Sequence, residues 1–386
     1  MKSKMLLTLA ILLPMAGLTT VRLVTANLRP VYGEGPSSSV FKVLEPIGHG
    51  NLTVFPVVAP KSYATGEFLT LDEGLRSGEV VVTEYGNVRG LLRRRTPAVM
   101  QHDIAEVNRL VLINNSKRPL LLLAGEIVTG GKQDRVIGKD RIVPPESDPV
   151  DLSVFCVEPG RWVASSDHFG ASGTTYASGS AGGVGVSSGT LMAQPSVRAK
   201  AMGDKDQNQV WAEVRKQQQS MTVEVAAGAS AVNADEIRST SSYARVMENK
   251  DVKEKVDEVA QPIEQNYQSL IKQLRDRKAV GVVVAVNGRI IWADVFASTE
   301  LLERYWPKLV RSYASEAVVT RAKGGEASLA QAEAFLGEME GRRETIESEP
   351  GIYRHTEING DGFKAFALTS LLPKTGFDVH VAKMAE

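Results

Sequence analysis

Two β-prone runs, Val280 to Val286 and Arg289 to Phe296, meet at Asn287-Gly288. An Asn-Gly pair accepts the positive φ angles of a type I′ turn, and so short a connection leaves each run the other as its nearest partner. The stretch therefore predicts an antiparallel β-hairpin. Two strands alone are marginal in water, so the rest of the chain must cover and extend them. Suitable partners lie on both sides. Val252, Val256, Val259, Ile263, Tyr267, Leu270 and Leu274 recur at spacings of three and four, one face of a long amphipathic helix that Pro262 should kink. Ser298 or Thr299 caps a helix through Tyr305 and Trp306, bent at Pro307 and running to Val319. Ser328 with Gln331 forms a capping box opening another helix to about Met339. Gly351 to Ile358 and Phe363 to Thr369, joined by Asn359-Gly360-Asp361-Gly362, predict a second hairpin, and Phe377, Val379 and Val381 a final strand.

Upstream, Phe41 to Trp162 reads mostly as β. Its candidate strands are Phe41 to Leu44, Leu52 to Val58, Val80 to Glu84, Arg109 to Asn114, Leu120 to Ala124, Asp134 to Ile137 and Leu152 to Glu158, with Ile47 to Gly50 as a turn. Thr70 is an N-cap for a short helix, Leu71 to Ser77, with Asp72 and Glu73 where the helix dipole favours acids. Residues 165–190 are Gly and Ser at most positions, with Phe169 and Tyr176 as the bulky exceptions, and predict a mobile surface loop or linker. Gln194 to Met221 follows as a polar helix with a sparse apolar stripe. The expected class is α+β. An N-terminal antiparallel part, residues 41–164, sandwich or barrel-like, packs with a helix-rich part, residues 191–386, that contains both hairpins. The two are expected to be one continuous domain whose late strands complete the early sheets.

Composition removes several classes of function. Among 386 residues, 45 are Lys or Arg and 45 are Asp or Glu, which gives a nucleic-acid role no electrostatic footing. One cysteine makes neither an intramolecular disulfide nor a CxxC pair. Lys2 and Lys4, the apolar run Met5 to Val21, and Val24-Thr25-Ala26 have the layout of an export signal cleaved after Ala26, followed by a linker over residues 27–40. Arg22, between the apolar run and the cleavage site, suits an uncleaved anchor as the alternative. A bacterial chain of this design is expected to be exported, periplasmic or extracellular, touching a membrane only through that segment if cleavage fails. Its mature form would hold 42 basic and 45 acidic residues.

The densest polar cluster is Gly125 to Arg135 with Glu158-Pro159-Gly160-Arg161-Trp162. Glu126, Lys132, Gln133, Asp134, Arg135, Glu158, Arg161 and Trp162 gathered at strand ends would grip a small polar or anionic ligand, with Gly130 and Gly131 letting backbone amides approach it. The alternative is a set of paired turn residues whose glycines only supply positive φ. A phosphate-loop reading of Gly131-Lys132 fails, because Glu126 stands where glycine is needed and Gln133 where Ser or Thr is needed. Gly185 to Gly189 spells GxSxG, but in a Gly/Ser tract without a strand and helix around it. Cys156 has apolar neighbours, as a buried small hydrophobe does. His49, His102, His168, His355 and His380 show no metal-ligand spacing, so no metal and no cofactor is expected. Arg93-Arg94-Arg95 reads as a solvated edge strand.

The run Leu120 to Ile137, Val143 to Ser147, Val150 to Trp162, and later Val284 to Ser298 with Glu303 to Ala314, resembles the ADP-ribosylglycohydrolase and rhodanese-phosphatase-superfamily-associated protein domain family. That name records genomic company and not a reaction. The resemblance implies that the distant blocks belong to one domain and that Glu126, Lys132 to Arg135, Glu158, Arg161 and Trp162 match its motif positions. Three functions are open: a domain binding a small polar ligand or a partner; a hydrolase of ADP-ribose-like or other phosphorylated compounds, with Glu126 or Glu158 as base and Lys132 or Arg135 as oxyanion clamp; and a structural partner of an envelope protein, through the helix at 252–274. The export reading has a direct check: N-terminal sequencing of the exported protein is expected to begin at Asn27, and an intact Met1 would point to the anchor.

Overall fold

The computed structural model describes residues 41–84, 108–160, 166, 168–170, 190–228, 231–274, 277–321 and 324–386. In chain order the strands are β1 (Lys42–Val43), β2 (Ile47–His49), β3 (Leu52–Ala59), β4 (Leu69–Thr70), β5 (Val80–Glu84), β6 (Arg109–Asn114), β7 (Leu120–Leu122), β8 (Glu126–Gly130), β9 (Arg135–Ile137), β10 (Arg141–Val143), β11 (Val150–Cys156), β12 (His168–Gly170), β13 (Leu191–Met192), β14 (Lys278–Val286), β15 (Arg289–Phe296), β16 (Arg342–Glu349), β17 (Tyr353–Gly360), β18 (Phe363–Ser370) and β19 (Asp378–Ala385). The helices are α1 (Leu71–Ser77), α2 (Pro195–Ala199), α3 (Gln207–Gly228), α4 (Ala231–Ser239), α5 (Tyr243–Glu248), α6 (Lys250–Gln273), α7 (Thr299–Val319) and α8 (Leu329–Gly337), with a π-helical turn, Lys200–Asp204, after α2. None among the described residues is long and apolar enough to cross a membrane.

The Asn287-Gly288 hairpin forms as expected, with φ of 52° and 74° at its two turn residues. It sits inside a nine-stranded antiparallel sheet ordered β1-β3-β14-β15-β19-β18-β17-β16, with β2 paired to β3. Early and late strands thus share one sheet. Both of its faces are covered, which accounts for the unbroken apolar run of β14. Val282, Val284 and Phe296 pack with Ile263 and Tyr267 of α6 and with Leu302, Tyr305 and Leu309 of α7. On the other face Phe55, Val283 and Ala293 meet Ala332 of α8.

The second body of strands is a closed six-stranded barrel, β12-β5-β6-β11-β9-β8, shut by pairing of β12 with β8. β13 extends β8, and a three-stranded sheet, β10-β7-β4, lies beside α1. The barrel core contains Val82, Leu112, Val128, Ile137, Leu152, Val154 and Phe169. Phe169 corrects one expectation: residues 168–170 of the glycine-serine stretch form a strand, and the buried Phe169 side chain contributes to the barrel core. Apart from Ser166 and Thr190, the rest of that stretch, including Tyr176 and the Gly185 to Gly189 motif, lies outside the described residues, as do Arg93 to Arg95. Ile47 to His49, expected as a turn, is strand β2, and Asn359 and Gly360 belong to β17 and not to its turn. The capping boxes at Thr70/Glu73 and Ser328/Gln331 are both formed.

What joins barrel side to sheet is a set of charges with no solvent exposure. His380 of β19 contacts Asp140 through Nδ1 at 2.6 Å and Asp294 of β15 through Nε2 at 3.1 Å. Arg198 of α2 grips both Asp294 oxygens, at 2.8 and 2.9 Å, while its guanidinium lies 4.4 Å from the Trp292 ring centre. Tyr313 of α7 donates to Asp294, and the Ala124 amide donates to Asp140 at 2.7 Å. Gly125 makes room for this: its φ is +98°, and a Cβ there would lie 2.6 Å from Arg198 Cγ. Two carboxylates and two cations are thereby neutralised together, which buried ions require.

Burial works against a charge on His380, but Asp140 and Asp294 outweigh it and raise its pKa to about 9. A histidine free in the unfolded chain titrates near 6.5, so this contribution is complete below that pH and is lost as pH rises toward 9. Lys383, pushed down to about 8 by burial, acts in the opposite sense above pH 8, so the readable window is pH 6.5 to 8. Unfolding free energy from urea titrations is expected to fall by about 2 kcal/mol across it. A flat profile would contradict a charged His380.

Candidate functional site

The β8–β9 hairpin holds most of the predicted cluster, and Glu158 does come to it. The Asp134 amide donates to Glu158 Oε2 at 3.1 Å, and Gln133 Nε2 donates to the Glu158 carbonyl at 3.1 Å. Both Asp134 oxygens are engaged, one by the Gly130 amide at 3.1 Å and one by the Ser242 hydroxyl at 2.6 Å. Ser242 is itself the N-cap of α5. Glu84 accepts from the Lys132 amide at 2.8 Å. Arg135 is wholly buried and shares a strand face with the core residue Ile137. Gly130 and Gly131 have φ of 123° and 50°, and a Cβ on Gly131 would lie 2.3 Å from the Phe169 ring. These glycines answer to turn geometry and to packing against β12. Gln133, Asp134, Arg135 and Glu158 are all buried, and the hairpin is tied to Glu158, to Ser242 of α5 and to Glu84 of β5. Arg161 and Trp162 lie outside the described residues.

Glu126 goes elsewhere. At the start of β8, fully buried, it accepts from the Leu123 amide at 2.7 Å and from Lys308 Nζ at 2.5 Å. Lys308 of α7 also donates to Asp72 of α1 at 2.8 Å and to the Thr190 hydroxyl at 3.1 Å, and it stands 4.7 Å from the Tyr305 ring centre. The Thr190 amide donates to Asp72 as well. Burial opposes the charge on Lys308, but Asp72 and Glu126 together hold its pKa above the usual lysine value. Burial pushes Glu126 up, against Lys308, with Asp72 adding to the rise. For Asp72 the balance falls the other way: Lys308 and Thr190 overcome burial and lower it. One lysine thus bridges a carboxyl held high and a carboxyl held low.

This group forms one wall of a cleft of about 450 Å³ between α1, β13, α5, α6 and α7. Five cations face it: Arg76, Lys253, Arg304, Lys308 and Arg311. Arg304 is bound to Glu73, and Arg311 to Asp257 and Glu264. Arg76 and Lys253 are exposed and make no ion pair among the described residues. From sequence Asp72 reads only as a first-turn acid of its helix and Lys308 only as part of the Glu303 to Ala314 block; neither has a place in the expected site, and the cleft is not foreseen. The signal was present nonetheless: Leu301, Tyr305, Lys308 and Ser312 step by four, three and four, placing a lysine within the apolar stripe of α7. Cys156 is buried, and burial raises its thiol pKa. No group of three or more His, Cys, Asp or Glu that could hold a metal occurs among the described residues.

The family model for the ARG and Rhodanese-Phosphatase-superfamily-associated Protein domain matches residues 41–383, and the chain belongs to that family. Comparison with curated proteins gave no match, and comparison with solved structures gave none.

Removing the amine of Lys308 would leave two carboxyls facing each other under cover. Lys308→Met is expected to destabilise the domain by about 3–5 kcal/mol in urea unfolding, the usual result of stripping one partner from a buried ion pair. Adding Glu126→Gln in the same chain should return part of that loss. Additive single effects would show that the two side chains are not coupled.

Proposed function

We propose that this family member binds a small anionic ligand in the Lys308 cleft, between α1, α6 and α7. The observation that supports the reading is the state of its cations. Three are already anchored by carboxylates, while Arg76 and Lys253 line the same hollow with no acidic partner among the described residues. An anion entering there meets two exposed cations and a lysine already fixed in place, which lowers the ordering cost of binding. Glu126, sealed beneath Lys308, positions that lysine and does not itself meet the ligand. With the first 26 residues read as an export signal, the ligand would be met outside the cytoplasm.

Hydrolysis of a phosphorylated ligand is the second reading, favoured by the opposite displacement of the Asp72 and Glu126 carboxyls about one lysine. Asp72 is the member that faces the cleft and would serve as base.

Thermal unfolding in the presence of ADP-ribose, inorganic phosphate and citrate tests binding. At least one is expected to raise the transition temperature, with a gain of about 2.7 kcal/mol at a hundredfold excess over Kd. The doubly substituted Arg76→Ala, Lys253→Ala protein should lose that gain yet unfold like the parent without ligand. Equal stabilisation of parent and variant would remove the cleft as the site. Turnover of ADP-ribose abolished in Asp72→Asn while binding persists would place hydrolysis first.

A further inference from the structure

We propose that the hollow at His355 is a second ligand site, taking a small organic monocarboxylate with a flat apolar body. The hollow measures about 350 Å³ and opens between the barrel strand β11, the π-helical turn after α2, and strands β17 and β18 of the large sheet. His355 of β17 is 1% exposed, and neither ring nitrogen has a hydrogen-bond partner among the described residues. A neutral imidazole carries one donor and one acceptor, and each left unmet under cover costs about 1–3 kcal/mol. His355 lines the hollow while both nitrogens are closed to water, so a ligand meets one by turning the ring toward itself, and meeting it removes that cost. Phe366 lies beside the imidazole at a ring separation of 6.0 Å and an angle of 18°, so the wall next to His355 is flat and apolar.

Met202 and Phe155 continue that apolar wall, and Lys139 and Lys205 line the same hollow. Each lysine is steadied by an acid, Lys139 by Glu347 and Lys205 by Glu357, the latter at 2.7 Å. Two ammonium groups above an apolar slot match a carboxylate carried on a flat hydrocarbon body. Burial, aided by both lysines, keeps His355 neutral at physiological pH, its pKa lowered to about 4, so it can donate through one nitrogen and accept through the other. A lone imidazole without a second ligating residue does not make a metal centre, and the hollow is roughly ten times the volume of one water molecule.

Benzoate is the probe, with benzamide as its uncharged counterpart. Benzoate is expected to shift the His355 imidazole NMR signals saturably in the millimolar range and to raise the unfolding temperature, with benzamide weaker on both counts. The stabilisation should vanish in His355→Phe, which keeps a ring of similar shape and is expected to fold at least as stably as the parent. Lys205→Asn, at an exposed position whose φ of 55° asparagine tolerates, should weaken benzoate about tenfold. The Arg76→Ala, Lys253→Ala protein should bind benzoate unchanged, which separates this site from the cleft. Absence of a saturable His355 shift, or stabilisation that survives both His355→Phe and Lys205→Asn, overturns the proposal.

Discussion

Asp140, His380, Asp294 and Arg198 can be buried only as a set. Any one of them taken alone from water would carry an uncompensated charge into a medium that does not tolerate it. Their chain positions are far apart: one follows β9, one lies on α2 and two lie on different strands of the large sheet. The barrel side and the sheet must therefore arrive at their common boundary in one arrangement, with Tyr313 of α7 and the Ala124 amide closing the remaining valences. Apolar packing tolerates small slips between layers. A bidentate guanidinium on a carboxylate already held by an imidazole does not. This is where the fold acquires its alignment, and the Lys308 group a short way along α7 repeats the principle between helix and barrel.

Local chemistry was readable wherever neighbours in sequence decide the outcome. Asn287-Gly288 fixed a hairpin, Thr70 with Glu73 and Ser328 with Gln331 fixed helix starts, and the three-four spacing from Val252 matched α6. Pairing between distant segments was not readable. β12 consists of three residues in a glycine-serine stretch and becomes a strand only because β5 and β8 offer free edges on either side. β8 was missed as a strand because its five residues begin with a glutamate and end in glycine, and its apolar content is as short as that of a turn.

The candidate site shows the same division. Sequence placed Glu158 beside Asp134 correctly, since β11 and β9 pair directly, yet it assigned Glu126 to the wrong company. The partner of Glu126 lies 182 residues further on, in a helix whose Lys308 the sequence reading did not link to the cluster. Charge density along the chain finds turns. A polar side chain at a buried position, as with Lys308 in α7 or His355 in β17, finds places where the interior is doing something other than excluding water.

The nine-stranded sheet has a temporal consequence. β3 is flanked by β14, made more than two hundred residues later, so its apolar edge stays without its permanent neighbour until most of the chain has left the ribosome. Contacts spanning that much sequence also form slowly. A product stopped before β14 would keep β1 and β2 on one edge of β3 and present the other edge, Val54 to Val58, as a sticky strand open to wrong partners.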